Sequence, residues 1–330
     1  MDSKNLVLIA FLIVFQLSVF ELKAQPVPSL EENIDFISTF SKDAKTQWGD
    51  DDHLQIFFFL IPNDYQNPFY IRIFDPDCIG ENDLKVNDWN SKTKFSVYGG
   101  FQAFSDPAAQ SHIRKEGYDS GRLLISYTFA NDQELDNKWF TLGPFNPRSG
   151  EKVNDFGGMV FKLIIEGEEG DDGNLYRLFL SSQPDDNKSV LGSNAFTYNY
   201  SFRLKSDSST AAHLYPFIDN KTVSVKQGNF DFDNEGTIKL YSRTKNGHRV
   251  LLSGDNEIAV SEHIITPEEQ GKTLDIQIVK NQNRVNDMSF YLLNQYNQAV
   301  PFFAIPLGGV PQYKFKVKTQ YEYRNKKHSF

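Results

Sequence analysis

The chain has 330 residues, 43 Asp and Glu against 34 Lys and Arg, a formal charge of −9, and 39% apolar against 23% charged residues. That length holds about two domains with their own cores; the composition is that of a folded chain, and the net acidity argues against a nucleic-acid partner. A single cysteine excludes an internal disulfide framework and any zinc site built on clustered Cys, while 29 Phe and 15 Tyr favour sheets over helix bundles.

Residues 1–24 have a polar start with Lys4, an almost wholly apolar run from Leu6 to Phe20 and the small residue Ala24. This is the layout of a secretory signal peptide cleaved between Ala24 and Gln25. The apolar run is shorter than the roughly 20 residues that cross a bilayer, and no later segment reaches that length. The expected protein is therefore secreted or periplasmic, with no transmembrane segment after signal removal. In that setting Cys78 is read as a buried, inert side chain or as one half of an intermolecular bridge.

Residues 25–49 form the expected N-terminal segment. Ser29 and Glu32 are spaced as a capping box, and Leu30, Ile34, Ile37 and Phe40 fall at helical spacing, which predicts a short amphipathic helix over Leu30–Ser41. From residue 50 the pattern changes to short apolar or alternating runs broken by Asn, Asp, Gly and Pro. Strands are expected at Leu54–Ile61, Phe69–Phe74, Thr93–Tyr98, Arg122–Phe129, Trp139–Leu142, Val160–Glu166, Asn174–Leu180 and Phe196–Leu204. Residues 50–206 thus read as a larger β-sandwich.

The small polar stretch Lys205–Thr210 is the best linker. Beyond it come strand signals at Thr222–Val225, Thr237–Ser242, Arg249–Leu252, Glu257–Ile265, Leu274–Lys280, Ser289–Asn294, Phe302–Ile305 and Gln312–Lys318. Their number and rhythm predict a smaller, immunoglobulin-like sandwich over 207–318, without the paired cysteines and core Trp of antibody domains. Residues 319–330 close the chain as a basic tail; six Lys or Arg and one Glu lie between Lys314 and His328. The tail reads as a solvated end, and its charge would also suit anionic lipid or acidic polysaccharide. The fold class is all-β: two tandem sandwiches after one short helix.

Catalytic signatures are absent as motifs: there is no Gly-x-Ser-x-Gly elbow, His-Glu-x-x-His helix or phosphate-cradling Gly-rich loop. Six histidines are scattered with no pair at metal-ligand spacing. The acidic turns carry more information. Asp51 and Asp52 precede the strand at Leu54, Asp75 and Asp77 follow the strand ending at Phe74, and Asp171 and Asp172 precede the strand at Asn174. If the first two strands form a hairpin through Pro62–Pro68, and the third runs parallel to the first, these acids gather at one sheet end. Crowded carboxylates are stable when ionised only around a cation, and calcium, a hard ion taking six to eight oxygens, is the natural one outside the cytoplasm. Turn chemistry alone also places Asp, Asn and Gly at strand ends. Asp231, Asp233 and Glu235 form a second candidate, pointed to one side by strand alternation.

Aromatics beside Gly and Pro, at Tyr98–Phe101 and Trp139–Phe145, could stack on sugar faces or pack in the core. Asn187, Asn199 and Asn220 head N-glycosylation triplets. The sequence therefore predicts a secreted, non-catalytic, calcium-stabilised binding module with a polysaccharide or cell-envelope partner. The rival readings are an extracellular hydrolase using two carboxylates, as glycosidases do, and a structural assembly component.

Overall fold

The computed structural model describes residues 26–45 and 53–309. The expected signal peptide, Asp51 and Asp52, the expected strand Gln312–Lys318 and the basic tail lie outside the described residues. Among the described residues the chain is all-β with no α-helix. Its strands are β1 (Ile34–Phe40), β2 (Leu54–Pro62), β3 (Phe69–Phe74), β4 (Lys92–Gly99), β5 (Arg122–Phe129), β6 (Trp139–Phe145), β7 (Glu151–Val153), β8 (Gly158–Glu169), β9 (Gly173–Ser181), β10 (Asn194–Thr197) and β11 (Asn199–Leu204). They continue with β12 (Ala212–Leu214), β13 (Phe217–Ile218), β14 (Ser224–Phe230), β15 (Gly236–Tyr241), β16 (Asn246–Val250), β17 (Ile258–Ile264), β18 (Lys272–Thr273), β19 (Asp275–Lys280), β20 (Asn286–Asn294) and β21 (Phe302–Phe303).

An eight-stranded sheet runs β17-β14-β20-β11-β1-β9-β3-β6, and a second sheet runs β21-β10-β2-β8-β4-β5, with β7 added beside β8. A four-stranded sheet, β12-β19-β15-β16, and the pair β13-β18 complete the set. The sheets are antiparallel. One continuous core joins Ile37, Tyr176 and Phe202 of the first sheet to Phe57, Phe95 and Phe161 of the second, and Val225 and Phe290 to Ile238 and Ile276 of the four-stranded sheet. The boundary expected at residue 206 falls between β11 and β12. The eight-stranded sheet crosses it, because β11 pairs with β20 from Asn199–Tyr291 to Leu204–Asn286.

Strand β2 explains its own composition. Phe57, Phe59 and Ile61 face the main core, while Phe58, with Ile56 and Leu60 beside it, packs into a second cluster with Phe104, Val160, Phe196, Tyr198 and Phe303. A strand covered on both faces reads as a continuous apolar run rather than an alternation.

Two expectations are corrected. The predicted helix over Leu30–Ser41 is a turn followed by β1, paired on one side with β11 and on the other with β9. Ile34, Ile37 and Phe40 fit helical spacing, but the β-branched and aromatic residues of Ile34–Phe40 suit a strand, and two neighbouring ladders satisfy its backbone groups. The Ser29 N–H does donate to Glu32 Oε2 at 2.6 Å, as a capping box requires. That bond closes a turn, and Asn33 (φ 55°) then redirects the chain in the left-handed region. The second correction concerns the hairpin through Pro62–Pro68: β2 pairs with β8 and β10, and β3 with β6 and β9.

Burial makes the turn at Glu32 pH-sensitive. Removal from water pushes its carboxyl from the ordinary 4.5 up to about 8, against the lowering effect of the Ser29 N–H. The folded state thus keeps a proton that the unfolded chain releases. The resulting stability is fully present below about pH 4.5 and is lost as pH rises through about 8, with a slope of up to about 1.4 kcal/mol per pH unit. Urea midpoints from pH 5 to 9 should fall more steeply for the wild type than for Glu32→Gln, which has no proton to lose. Parallel pH profiles would contradict this.

Candidate functional site

Where β3 ends, Asp75 takes a left-handed conformation (φ 60°), and the chain leaves the sheet in a long loop that returns at β4. Antiparallel pairing of β3 with β9 sets Phe74 opposite Arg177, so the start of β9 lies at the same sheet end. The connection from β5 to β6 joins them: Asp75 N–H donates to the Lys138 carbonyl at 2.9 Å and Cys78 N–H to the Ala130 carbonyl at 3.1 Å.

Asp75 and Asp77 are fully buried here, with Asp83 close behind. Asp75 accepts from the Asn82 amide at 2.6 Å and from the Asn137 backbone N–H at 2.7 Å. Asp83 Oδ1 accepts from Leu175 N–H at 2.7 Å. Asn174 donates to the Pro76 carbonyl at 3.1 Å and to Cys78 Sγ at 3.4 Å. Four acceptors remain buried with no N–H or hydroxyl donor from another residue: both oxygens of Asp77, which meet only its own backbone N–H and the Asp75 carboxyl, Asp83 Oδ2 and Asn174 Oδ1. Burial, and then the neighbouring charge of Asp75, push Asp77 up to about 7. Burial likewise holds Asp83 well above the usual carboxylate range, against the Leu175 N–H, with Asp75 and Asp77 adding to the rise. Burial pushes the Cys78 thiol up to about 12, so it stays protonated and inert.

Asp172 has a different role. Its oxygens accept from Val86 N–H (3.0 Å), Asn90 N–H (3.1 Å) and Ser91 Oγ (3.0 Å), pinning the far part of the same loop as turn chemistry does. Asp171 accepts from the Asn87 amide at 2.6 Å.

In the second half, Asp231 and Asp233 follow β14, and Asp255 precedes β17. Their carboxylate oxygens lie within 4.8 Å of one another, so this cluster could hold a metal ion. Asp231 accepts from Asn256 N–H at 2.7 Å and is pushed up to about 6 by burial, with Asp233 and Asp255 contributing. Glu235, expected beside Asp231 and Asp233, instead meets the Arg284 guanidinium, which also reaches Asp233 at 3.4 Å. Asp255, from another loop, takes its place in the cluster.

Beside the first cluster lies a solvent-open cleft of about 520 Å³ lined by Ile79, Gly80, Trp89, Asn131, Gln133 and Asp136. Asn131 and Gln133 are exposed and Trp89 half-buried, and the Lys85 ammonium stands 5.5 Å from the indole centroid. Gly80 is at φ +115°, and a Cβ there would come within 2.4 Å of Asp136 Oδ1, so the two loops meet at a glycine. Sequence reasoning missed this cleft; its one local signal was a Trp set between Asp88 and Asn90. The aromatics it singled out are placed otherwise. Phe101 is exposed, Tyr98 lies under the Lys162 ammonium, and Trp139 packs on Phe74 and Arg72.

No helix among the described residues is long and apolar enough to cross a membrane. No family model and no curated protein matches the chain. Among solved structures, it is similar to that of the Macrobrachium rosenbergii nodavirus, with 7% identity and a TM-score of 0.18 over 80% of this chain and 88% of that one. It is also similar to the N-terminal CBM22-1-CBM22-2 tandem domain of Paenibacillus barcinonensis Xyn10C, with 10% identity and a TM-score of 0.17 over 82% of this chain and 98% of that one. Likeness at this level carries no argument about this chain.

Proposed function

We propose that the chain is an exported, non-catalytic binding protein, secreted or periplasmic after cleavage between Ala24 and Gln25. In this reading it takes an extracellular or cell-envelope polysaccharide in the cleft beside Trp89, and calcium stabilises the loops that form the cleft. In the same reading two sandwich units, residues 50–206 and an immunoglobulin-like unit of residues 207–318, are joined through the pairing of β11 with β20.

The observation that carries the reading is the lining of the cleft. A sugar ring has an apolar C–H face, which an indole covers well. Its hydroxyls both donate and accept, and so do the Asn131 and Gln133 amides, while Asp136 accepts. Within the lining Asp136 is the one acid, whereas glycosidase chemistry needs two carboxyl groups across the scissile bond.

Affinity electrophoresis through gels containing β-glucan, mannan, pectin or alginate tests this. At least one polysaccharide should retard the wild type, and Trp89→Ala should weaken that retardation about tenfold, equivalent to ~1.4 kcal/mol, with an unchanged unfolding midpoint. Equal mobility of both proteins in every gel would overturn the assignment.

A further inference from the structure

We infer that Asp77, Asp83 and Asn174 hold one calcium-sized cation beside the cleft, and that this ion sets the cleft's shape. The inference rests on the binding role proposed for the Trp89 cleft, and it adds both a ligand set and a form of regulation.

Acidity alone does not support it; the unpartnered oxygens do. Asp77 is fully buried, and beyond its own backbone N–H and the neighbouring Asp75 carboxyl no donor reaches its two oxygens, while Asp83 Oδ2 and Asn174 Oδ1 are buried and unpartnered on neighbouring segments. A buried acceptor left without a donor is costly, and these four lie on two segments that the Leu175 N–H to Asp83 and Asn174 to Pro76 bonds hold side by side. A proton shared between the acids would satisfy one or two. A hard cation can take all four, with backbone carbonyls and water completing its six to eight oxygens. Two of the three ligands are already braced, Asp83 by the Leu175 N–H and Asn174 by its bonds to Pro76 and Cys78. The one sulfur nearby, Cys78, is engaged with Thr93 and Asn174, which leaves an all-oxygen site that suits calcium over softer metals.

The route to the cleft is short. Asp77 is three residues from Gly80. Asn82 donates both to Asp75 and, at 2.8 Å, to Asn137 Oδ1, while Asn137 donates to Asp136 Oδ1 at 2.8 Å. The ion would therefore tie the loop after β3, the start of β9 and the β5–β6 connection together, and two of these carry the cleft walls.

The test uses the full chain with calcium chloride or EGTA. Calcium should raise the unfolding midpoint of the wild type and of Asp255→Asn, which alters the second-half cluster. Asp77→Asn and Asp83→Asn should each weaken calcium binding by calorimetry at least tenfold. If one variant fails to fold, the other carries the test. Equal wild-type midpoints in calcium and EGTA would overturn the site, leaving a shared proton between the acids. A calcium shift lost in Asp255→Asn and kept in Asp77→Asn would place the ion in the other cluster and also overturn it. EGTA should abolish retardation by whichever of the four polysaccharides retards the calcium-loaded chain; unchanged retardation would overturn the coupling. Calcium bound through Asp77 with no retardation in any gel would leave the ion standing and overturn the polysaccharide reading.

Discussion

Lys245→Met should lower the unfolding free energy by about 3–5 kcal/mol, because it strands a buried carboxylate. Glu269 is shielded from solvent, and the Lys245 ammonium meets its two oxygens at 2.7 and 2.5 Å. Ser242 Oγ and the Thr266 N–H, the latter at 2.8 Å, complete its shell. Burial would raise this carboxyl, but the bonds from Lys245, Ser242 and Thr266 hold it below its usual range. The loops after β15 and β17 therefore meet around one ionised group. Replacing both partners, as Lys245→Met with Glu269→Leu, should recover most of the loss, since an apolar pair needs no desolvation of charge. Urea unfolding of the two single variants and the double variant measures this. A loss below about 1 kcal/mol for Lys245→Met would show a group still reached by water.

Phe58→Ala should cost a further large amount, about 3–5 kcal/mol, the usual range for removing a buried ring. Phe58 is fully buried and stacks on Phe196 at 5.2 Å, with Phe104 at 5.3 Å and Tyr198 at 5.8 Å meeting it edge-on. These rings lie on the face of β2 turned away from the main core. The variant therefore reads how firmly the segment carrying Phe104 covers that face. Urea midpoints measure it, and a cost near that of a surface substitution, within about 0.5 kcal/mol, would mean that the cover is loose.

How much of this was legible in the sequence depended on the range of the interaction. Phe69–Phe74 reads as a strand from its own six residues, and β3 has those bounds. Ile34, Ile37 and Phe40 could serve a helix or a strand, and the choice was made by partners at Arg203 and Tyr176, which no local window contains. The expected hairpin failed for the same reason: β2 and β3 are neighbours in sequence, but each found its pairs more than 60 residues away, at Phe161 and at Thr141. Asp75 and Asp77 were readable as a turn rich in acid. Asp83 was readable as part of the same acidic loop, Asp75–Asp83, whereas Asn174 and Asp136 were not readable as its neighbours, because the pairing of β3 with β6 and β9 brings them there. Asp172 carried the same local signal as Asp77. Their difference lies in whether backbone N–H groups reach the carboxylate, which is a property of the folded loop.

In the proposed function the loops after β3 and between β5 and β6 form a polysaccharide site around Trp89. Amide hydrogen exchange, with and without a polysaccharide that retards the chain, tests it most directly. Protection should rise over residues 79–89 and 130–137 and stay unchanged over β14, β17 and the Asp231 cluster. Protection that rises elsewhere while these two loops exchange as before would contradict the account.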